Sequence, residues 1–198
     1  MLEHGTERVV SLSEGGEMRA LVRAYNWAST PIGAAESWPA SLKTATDLVF
    51  GCEFPMIVLW GPSLVQIYND GYRALMAKKH PLGLGQPTRE CWPEVWHINE
   101  PIYARVWRGE SATLTNQLFP ITRHGYPEEA YFTLCYSPLR DETGQVAGVL
   151  VTVFETTAAV ERARAEAALR ESEERFRALV SATSDVVYRM SPDWNEMR

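Results

Sequence analysis

Two short apolar runs separated by only three residues constrain the fold of this chain more than any other feature. Residues 56 to 60 and 64 to 68 are rich in β-branched and aromatic side chains, and Gly61-Pro62-Ser63 lies between them. Runs of this length joined by so short a turn predict an antiparallel β-hairpin. Asn69 or Asp70 follows at once and can cap a short helix. The sequence therefore predicts a hairpin that passes directly into a helix.

Two further helices are predicted before the hairpin. A helical stripe begins after Glu17 and consists of Met18, Leu21, Val22 and Tyr25. A second helix is expected from Ser37, which lies two residues before Pro39, through Val49. Residues 17 to 53 would form an N-terminal helical extension. Residues 1 to 16 are polar and are predicted to be a flexible arm.

Helices and then three strands are predicted after the hairpin. Residues 89 to 108 are helical in outline, but Pro93 and Pro101 predict one short and one longer helix. The strands are expected at residues 111 to 121, 130 to 139 and 145 to 154. This order predicts an α+β fold, a five-stranded antiparallel sheet with helices on one face, over residues 54 to 157. A pocket can lie between the helices and the sheet.

The composition changes after the last strand. Residues 158 to 182 contain no Gly or Pro and are dominated by Ala, Glu and Arg, which predicts a long linker helix. Leu169 and Phe176 share one heptad position, with Ala165, Ser172 and Leu179 at the companion position, and this is typical of a short, imperfect coiled coil. Residues 183 to 198 are predicted to begin a second domain that the chain truncates.

Charge and hydrophobicity exclude several classes of partner. The net charge of -6 provides no basic field for nucleic acid. The longest apolar runs fall far short of the roughly 20 residues needed to cross a bilayer, and the N-terminus lacks a signal-peptide pattern. The three cysteines, at 52, 91 and 135, have no CxxC spacing. We expect a cytoplasmic protein with reduced thiols and no metal, membrane or nucleic-acid partner.

Aromatic and amide side chains near the predicted pocket are the candidate binding residues. Aromatic rings can stack on a planar ligand while their polar tips orient it. The candidates are Tyr68, Asn69, Tyr72, Trp92, Trp96 and Tyr103. They can equally be large core residues, with Asn69 as a helix cap. Strict alternation along residues 113 to 118 would place Leu114, Asn116 and Leu118 on one face and the remaining three on the other.

The combination of these elements resembles a PAS domain. Two segments resemble this family most. Tyr68-Asn69-Asp70-Gly71-Tyr72 follows the hairpin, and Glu155-Thr156-Thr157 looks like a variant of the Asp-Ile-Thr signature at the end of many PAS cores. More narrowly, NWASTPIG (26 to 33), ESWPASL (36 to 42), KHPLGLGQP (79 to 87) and ECWPEVW (90 to 96) resemble the N-terminal PAS module of bacterial sensor histidine kinases. Residues 171 to 194 resemble the opening of a second PAS domain.

The resemblance implies sensing or protein interaction in a two-component system. It implies a homodimer, with downstream PAS and kinase domains and a possible small-molecule ligand. Glu155, Thr156 and Thr157 would then form a two-state signalling junction, because their side chains can bond backbone groups in one arrangement and release them in another; the alternative is an ordinary helix cap. We expect the dimer to use the N-terminal stripe together with Leu169 and Phe176.

Cofactors and catalysis have weaker support in the sequence. Haem-binding PAS domains use a helical histidine, and His97 is the candidate here. Flavin-binding light sensors of the LOV type need a cysteine in an Asn-Cys-Arg-Phe-Leu-Gln motif, and the region around Cys91 lacks it. We expect no cofactor. No catalytic motif is found, so the alternatives to a sensor are a ligand-free interaction scaffold and, less favoured, a small α+β enzyme.

Overall fold

The computed structural model of the protein describes residues 16–187. The predicted flexible arm therefore lies outside the described residues, except for Gly16. The predicted second domain also lies outside them, except for residues 183–187, which are helical. The described chain forms two compact units, one ending at Glu155 and one beginning at Thr156.

The first unit is built on a five-stranded antiparallel sheet. The strands are β1 (Met56–Trp60), β2 (Val65–Tyr68), β3 (Ala112–Ile121), β4 (Glu128–Arg140) and β5 (Val146–Glu155), in the spatial order β2-β1-β5-β4-β3. The predicted fold class is thus confirmed. The first and last strands of the domain are neighbours, with Met56 opposite Thr152 and Trp60 opposite Gly148. The strand that leaves the domain is therefore central in the sheet.

The hairpin turn follows from local chemistry. Gly61 has a φ of 72° and Leu64 a φ of 52°, and the Leu64 N–H donates to the Gly61 carbonyl at 2.9 Å. Because the backbone of Leu64 is in the left-handed region, this residue closes the turn. The strand β2 therefore begins at Val65, one residue later than the sequence predicts.

Three helices lie between β2 and β3: α3 (Asp70–Met76), α4 (Thr88–Cys91) and α5 (Trp96–Trp107). The predicted break at Pro93 is a 3₁₀ turn over Pro93–Val95. The predicted break at Pro101 is wrong, because Pro101 lies inside a continuous α5. A proline within a helix removes one backbone hydrogen bond, and α5 is nevertheless helical on both sides of Pro101.

The N-terminal extension contains α1 (Glu17–Ala24) and α2 (Ala40–Phe50), joined by two 3₁₀ turns. The second helix begins at Ala40 rather than at Ser37, because Ser37 lies in a 3₁₀ turn and its hydroxyl donates to the Ala34 carbonyl at 2.7 Å. Every residue of β1 is buried, so both faces of this strand are covered. The helix α2 contacts both β1 and β2.

The apolar stripe of α1 packs inside its own chain, which corrects the predicted role of this stripe in dimerisation. Met18 is 0% exposed and Val22 is 6% exposed, while Leu21 and Tyr25 pack against the same core. The Met18 N–H also donates to the Asp70 carboxylate at 3.2 Å, which fixes the start of α1 against the start of α3. A helical stripe predicts burial; here the partner surface is intramolecular.

The second unit contains α6 (Thr157–Val187), a continuous helix that is longer than the predicted 158 to 182. Leu169 and Phe176 are 62% and 68% exposed. Of the helices in residues 16–187, none is long and apolar enough to cross a membrane.

Candidate functional site

A cavity of about 70 Å³ lies between the sheet and the helices α3, α4 and α5. Ten of its sixteen lining residues carry only hydrocarbon side chains, and they come mainly from β1, β3, β4 and β5. The six that carry polar atoms are Tyr72, Thr88, Trp92, Asn99, Tyr103 and Tyr136. No lining residue is charged. The cavity is therefore an apolar space with a few polar groups, of which all but Tyr136 lie outside the sheet.

Strand pairing explains the apolar floor. Ile57 lies opposite Val151, Val151 lies opposite Tyr136, and Leu134 lies opposite Val153. Because residues directly opposite one another share a face of an antiparallel sheet, these side chains point to the same side. The alternate residues of three strands thus form one continuous surface.

A β-bulge in β3 extends this floor and corrects the predicted alternation. The pairing with β4 shifts between Leu114 and Gln117, and Asn116 has a φ of 48°. The extra residue places Leu114 and Gln117 on the same face, although strict alternation predicts opposite faces. As a result Phe119 and Ile121 point into the cavity.

The polar groups of the cavity are neutral. The Tyr136 hydroxyl donates to the Asn99 side-chain oxygen at 2.8 Å. Burial raises the pKa of Tyr72, Tyr103 and Tyr136, so these phenols keep their protons. A polar contact with Thr88 opposes part of the rise in the Tyr103 pKa.

The indole N–H of Trp92 differs from the other polar groups of the cavity in its hydrogen bonding. It is buried and has no hydrogen-bond acceptor among the residues that the structure describes. A contact between this N–H and the Tyr72 hydroxyl opposes part of the rise in the Tyr72 pKa, but its geometry is not that of a hydrogen bond. A buried N–H without an acceptor costs roughly 1–3 kcal/mol.

A second cluster of interest lies where β5 ends. Arg123, in the loop between β3 and β4, is 8% exposed. Its Nη1 and Nη2 donate to the two carboxylate oxygens of Glu155, both at 2.8 Å, and its Nε donates to Glu128 at 2.9 Å. The bonds to Glu155 and then Glu128 raise the Arg123 pKa above its ordinary value. Glu155 is the last residue of β5.

The Arg123 cluster also contacts the wall of the cavity. Its Nη1 lies 3.4 Å from the backbone carbonyl of Leu75, whose side chain lines the cavity. The neighbouring Lys78 N–H donates to the Arg123 carbonyl at 3.0 Å. One arginine therefore connects α3, the β3–β4 loop and the end of β5.

The family model of the PAS fold matches residues 56–161, just over half of the chain. The protein belongs to the PAS fold family. This match covers the sheet, the cavity helices and the first residues of α6. No curated protein matches the sequence significantly.

Several solved structures are similar to this PAS domain. The PAS domain of BvgS from Bordetella pertussis is 21% identical, and the match covers 66% of this chain and 97% of that one with a TM-score of 0.48. An RNA-binding light-oxygen-voltage receptor is 18% identical, with 73% of this chain but only 41% of the receptor covered and a TM-score of 0.48. A sensory box sensor histidine kinase from Vibrio cholerae is 17% identical, with 58% and 88% covered and a TM-score of 0.39.

The PAS domain brings three of the six predicted binding residues to the cavity. Tyr72, Trp92 and Tyr103 line it, and Tyr68, Asn69 and Trp96 do not. Tyr68 is fully buried, with its hydroxyl 3.0 Å from His80 Nδ1. Trp96 packs against Tyr103 with a ring-centroid distance of 5.8 Å.

Asn69 connects three elements through its carboxamide. Its Oδ1 accepts from the Tyr72 N–H at 2.9 Å, which caps α3, and from the Met56 N–H at 3.0 Å. Its Nδ2 donates to the carbonyls of Val49, Cys52 and Phe54. The close approach also requires Gly71, since a Cβ there would lie 2.6 Å from the Glu53 carbonyl. The cap, which the sequence offered as the alternative role of Asn69, is the role that its contacts support.

Asn99 is a cavity residue that the sequence analysis missed. It lies between Val95 and Tyr103 at spacings of four residues, and all three line the cavity. This i, i+4, i+8 stripe is the signal that would have found it. Arg123 is a second omission, and its distance of 32 residues from Glu155 leaves no local pattern to detect.

The cavity does not fit the cofactors considered from the sequence. A volume of about 70 Å³ is about half that of an engineered cavity of about 150 Å³ that binds benzene, and is therefore far too small for a haem or a flavin. His97 is exposed on α5 and does not line the cavity, so its placement gives no support to a haem-ligand role. Cys91 also lies outside the lining, and burial raises its pKa. Within residues 16–187, no cluster of three His, Cys, Asp or Glu side chains is suited to a metal.

The start of α6 follows directly on Glu155. The Thr156 carbonyl accepts from the Val160 N–H at 3.0 Å, so Thr156 occupies the N-cap position and Thr157 is the first helical residue. The three residues predicted as a signalling junction therefore span the last residue of β5, the cap and the first turn of the helix.

Proposed function

We propose that this PAS domain is a sensory module that detects a small molecule in the cavity and transmits the change to α6. The observation that carries the proposal is the position of Arg123, which bonds the cavity helix α3 and Glu155 at the same time. Glu155 lies at the exit of the sheet, which is the end of β5 from which the chain continues into α6. A displacement of α3 at the cavity wall would therefore move Arg123 and, through it, Glu155.

Two physical routes lead from the cavity to Glu155. The first runs through Leu75, since its side chain lines the cavity and its carbonyl contacts Arg123. The second runs along β5, since Val151 and Val153 line the cavity and Glu155 ends the same strand. A ligand that moves either wall changes the geometry required at the Arg123–Glu155 pair.

The pair is suited to a two-state response. Bidentate bonds between a guanidinium and a carboxylate are strong and directional. The Arg123 side chain is 9% exposed, so water cannot readily replace Glu155 as its partner. A ligand shifts such an equilibrium only by the difference between its affinities for the two states.

The receiver of the signal in this proposal is a homodimer that continues into further PAS and kinase domains of a two-component system. The exposure of Leu169 and Phe176, seven residues apart on α6, supports pairing through this helix. No catalytic role is assigned to the PAS domain itself.

A ligand-free interaction scaffold is the second candidate, and the small volume of the cavity favours it. Ligand pockets generally measure about 300–1,000 Å³, and this cavity measures about 70 Å³. In a scaffold the aromatic walls would serve only as core.

A fragment screen by NMR separates the two candidates. Amide signals of Leu75 and Val153 report on the cavity, and those of Glu155 to Val160 report on the exit. A sensor gives fragments that shift both groups of signals with the same binding constant. Fragments that shift the cavity signals while the exit signals stay unchanged contradict the transmission, and a complete lack of cavity binders supports the scaffold.

A further inference from the structure

Asn99 and Trp92 each present a hydrogen-bond donor at the wall of the cavity. The Asn99 oxygen is engaged by the Tyr136 hydroxyl, which leaves the Asn99 amide as a donor. The Trp92 N–H is buried without an acceptor in the described part of the chain. A ligand that brings an acceptor is therefore the complement of this wall.

The charge of the ligand is restricted by the same residues. None of the sixteen lining residues is charged. An ion entering this space would lose its hydration without meeting an opposite charge, which is strongly unfavourable. The charged groups close to the lining are already paired: Lys79, whose Nζ lies 4.5 Å from the Trp92 ring centroid, pairs with Glu94, and Arg123 pairs with Glu155. The cavity therefore excludes carboxylates, phosphates and ammonium groups.

Size gives the third restriction. An engineered apolar cavity of about 150 Å³ binds benzene, which has six non-hydrogen atoms. The present cavity is about half as large, at about 70 Å³. A ligand of about six non-hydrogen atoms thus fits only if the helices and the sheet move slightly apart. This movement is the change that the proposed sensor would transmit.

We propose that the cavity binds a small uncharged molecule of up to about six non-hydrogen atoms, with an apolar body and one hydrogen-bond acceptor that receives the Trp92 N–H. A ketone, an aldehyde or a neutral ring nitrogen provides such an acceptor. This inference rests on the proposed sensory function, and it specifies the class of ligand that the sensor detects.

Trp92 determines the preference for an acceptor, and Trp96 provides a matched comparison. Both indole N–H groups are buried without an acceptor among the described residues. Only Trp92 lines the cavity. Replacing either residue by Phe removes one N–H and retains an aromatic ring, so the two variants differ chiefly in whether the lost donor faces the ligand.

The experiment titrates the 198-residue chain with three probes of similar shape and follows the indole and cavity signals by NMR. Cyclopentanone carries an acceptor, methylenecyclopentane lacks it, and cyclopentylammonium carries a charge. We expect cyclopentanone to shift the Trp92 indole signal and to bind about threefold to tenfold more weakly to Trp92→Phe. Methylenecyclopentane should bind Trp92→Phe and the unmodified chain within about twofold of each other, and Trp96→Phe should leave both constants within the same range.

Three results would overturn the inference. Equal weakening of both neutral probes by Trp92→Phe would mean that the residue contributes shape and no hydrogen bond. Cavity binding of cyclopentylammonium as tight as that of cyclopentanone would contradict the exclusion of charge. Failure of all three probes to reach the cavity would reject this ligand class, and the sensory function would still stand if the fragment screen yields other cavity binders that shift the exit.

Discussion

The cavity and the exit of the sheet are built from opposite chemistry. The cavity has no charged lining residue and contains empty space, whereas the exit is a nearly buried arginine held by two carboxylates. Weak dispersion contacts allow small displacements around a void at modest cost. A bidentate ion pair tolerates much less displacement before it breaks. In the proposed sensor, a small, low-cost change at the cavity would therefore become a discrete change at the exit.

The largest expected effect comes from breaking the exit. Arg123→Leu removes the partner of Glu155 and of Glu128, whose side chains are only 29% and 21% exposed. Removing this arginine from two partly buried carboxylates should lower the free energy of unfolding by about 3 kcal/mol. Urea denaturation measures this loss. The matched control is Arg105→Gln, which removes a 52% exposed arginine from Glu110 and should cost less than about 1 kcal/mol. Equal losses in the two variants would refute the special status of the exit.

An intermediate effect is expected from a polar group inside the cavity. Tyr136→Phe removes the bond to Asn99 and leaves the Asn99 oxygen without this donor. The expected loss of unfolding free energy is about 1–2 kcal/mol, again by urea denaturation. Phe119→Tyr adds a hydroxyl on the same floor and serves as the reverse change. If Tyr136→Phe is neutral, then the hydrogen bond does not contribute to the stability of the cavity wall.

A smaller effect is expected when the void is partly filled. Val151→Ile adds one methylene to a residue that lines the cavity. Because there is free volume, we expect stability to change by less than about 1 kcal/mol, in contrast to the overpacking of a filled core. Cavity binding of cyclopentanone should weaken by at least about threefold, since the ligand loses volume. Unchanged binding in this variant would show that the probe lies elsewhere.

The smallest effect concerns the ionised contact between Glu94 and Lys79, next to the cavity residue Val95. Burial raises the pKa of Glu94, but its bonds to the backbone, Thr122 and Lys79 outweigh this, and the pKa is lowered from 4.5. A lowered pKa adds stability that is present above pH 4.5 and is lost as the pH falls through the folded-state value.

Glu94→Gln tests this contribution. The variant should lose the part of the acid-dependent decline in unfolding free energy that this carboxylate causes, which we expect to be less than about 1 kcal/mol. Denaturation curves recorded between neutral pH and pH 3 for both proteins measure it. Parallel curves over that range would contradict the predicted contribution of Glu94.

Local chemistry made much of this fold predictable. The hairpin and the Asn69 cap depend on residues within a few positions of one another, and both occur as predicted. The α1 stripe predicted burial correctly but not its partner, since periodicity gives the direction of a face and not the surface that covers it. The bulge at Asn116 has no strong local signal, and it reversed the predicted faces of the following residues.

The candidate site was less predictable than the fold. Tyr72, Trp92 and Tyr103 were chosen as aromatics near a helical segment, and they line the cavity. Tyr68 and Trp96 satisfy the same criterion and do not line it, because aromatic character does not fix the direction of a side chain. The Arg123–Glu155 pair joins residues on different strands and loops, so it depends on the tertiary fold.

Transmission from the cavity to α6 through Arg123 is tested most directly by titrating cyclopentanone into the unmodified chain, Arg123→Lys and Arg123→Gln while following the amide signals of residues 155 to 160. The lysine variant retains the charge but loses the bidentate geometry. The account predicts that all three proteins bind the probe at the cavity with constants within about threefold, and that the shifts at residues 155 to 160 shrink by at least about half in both variants. Undiminished shifts at residues 155 to 160 in folded variants that bind the probe would contradict it.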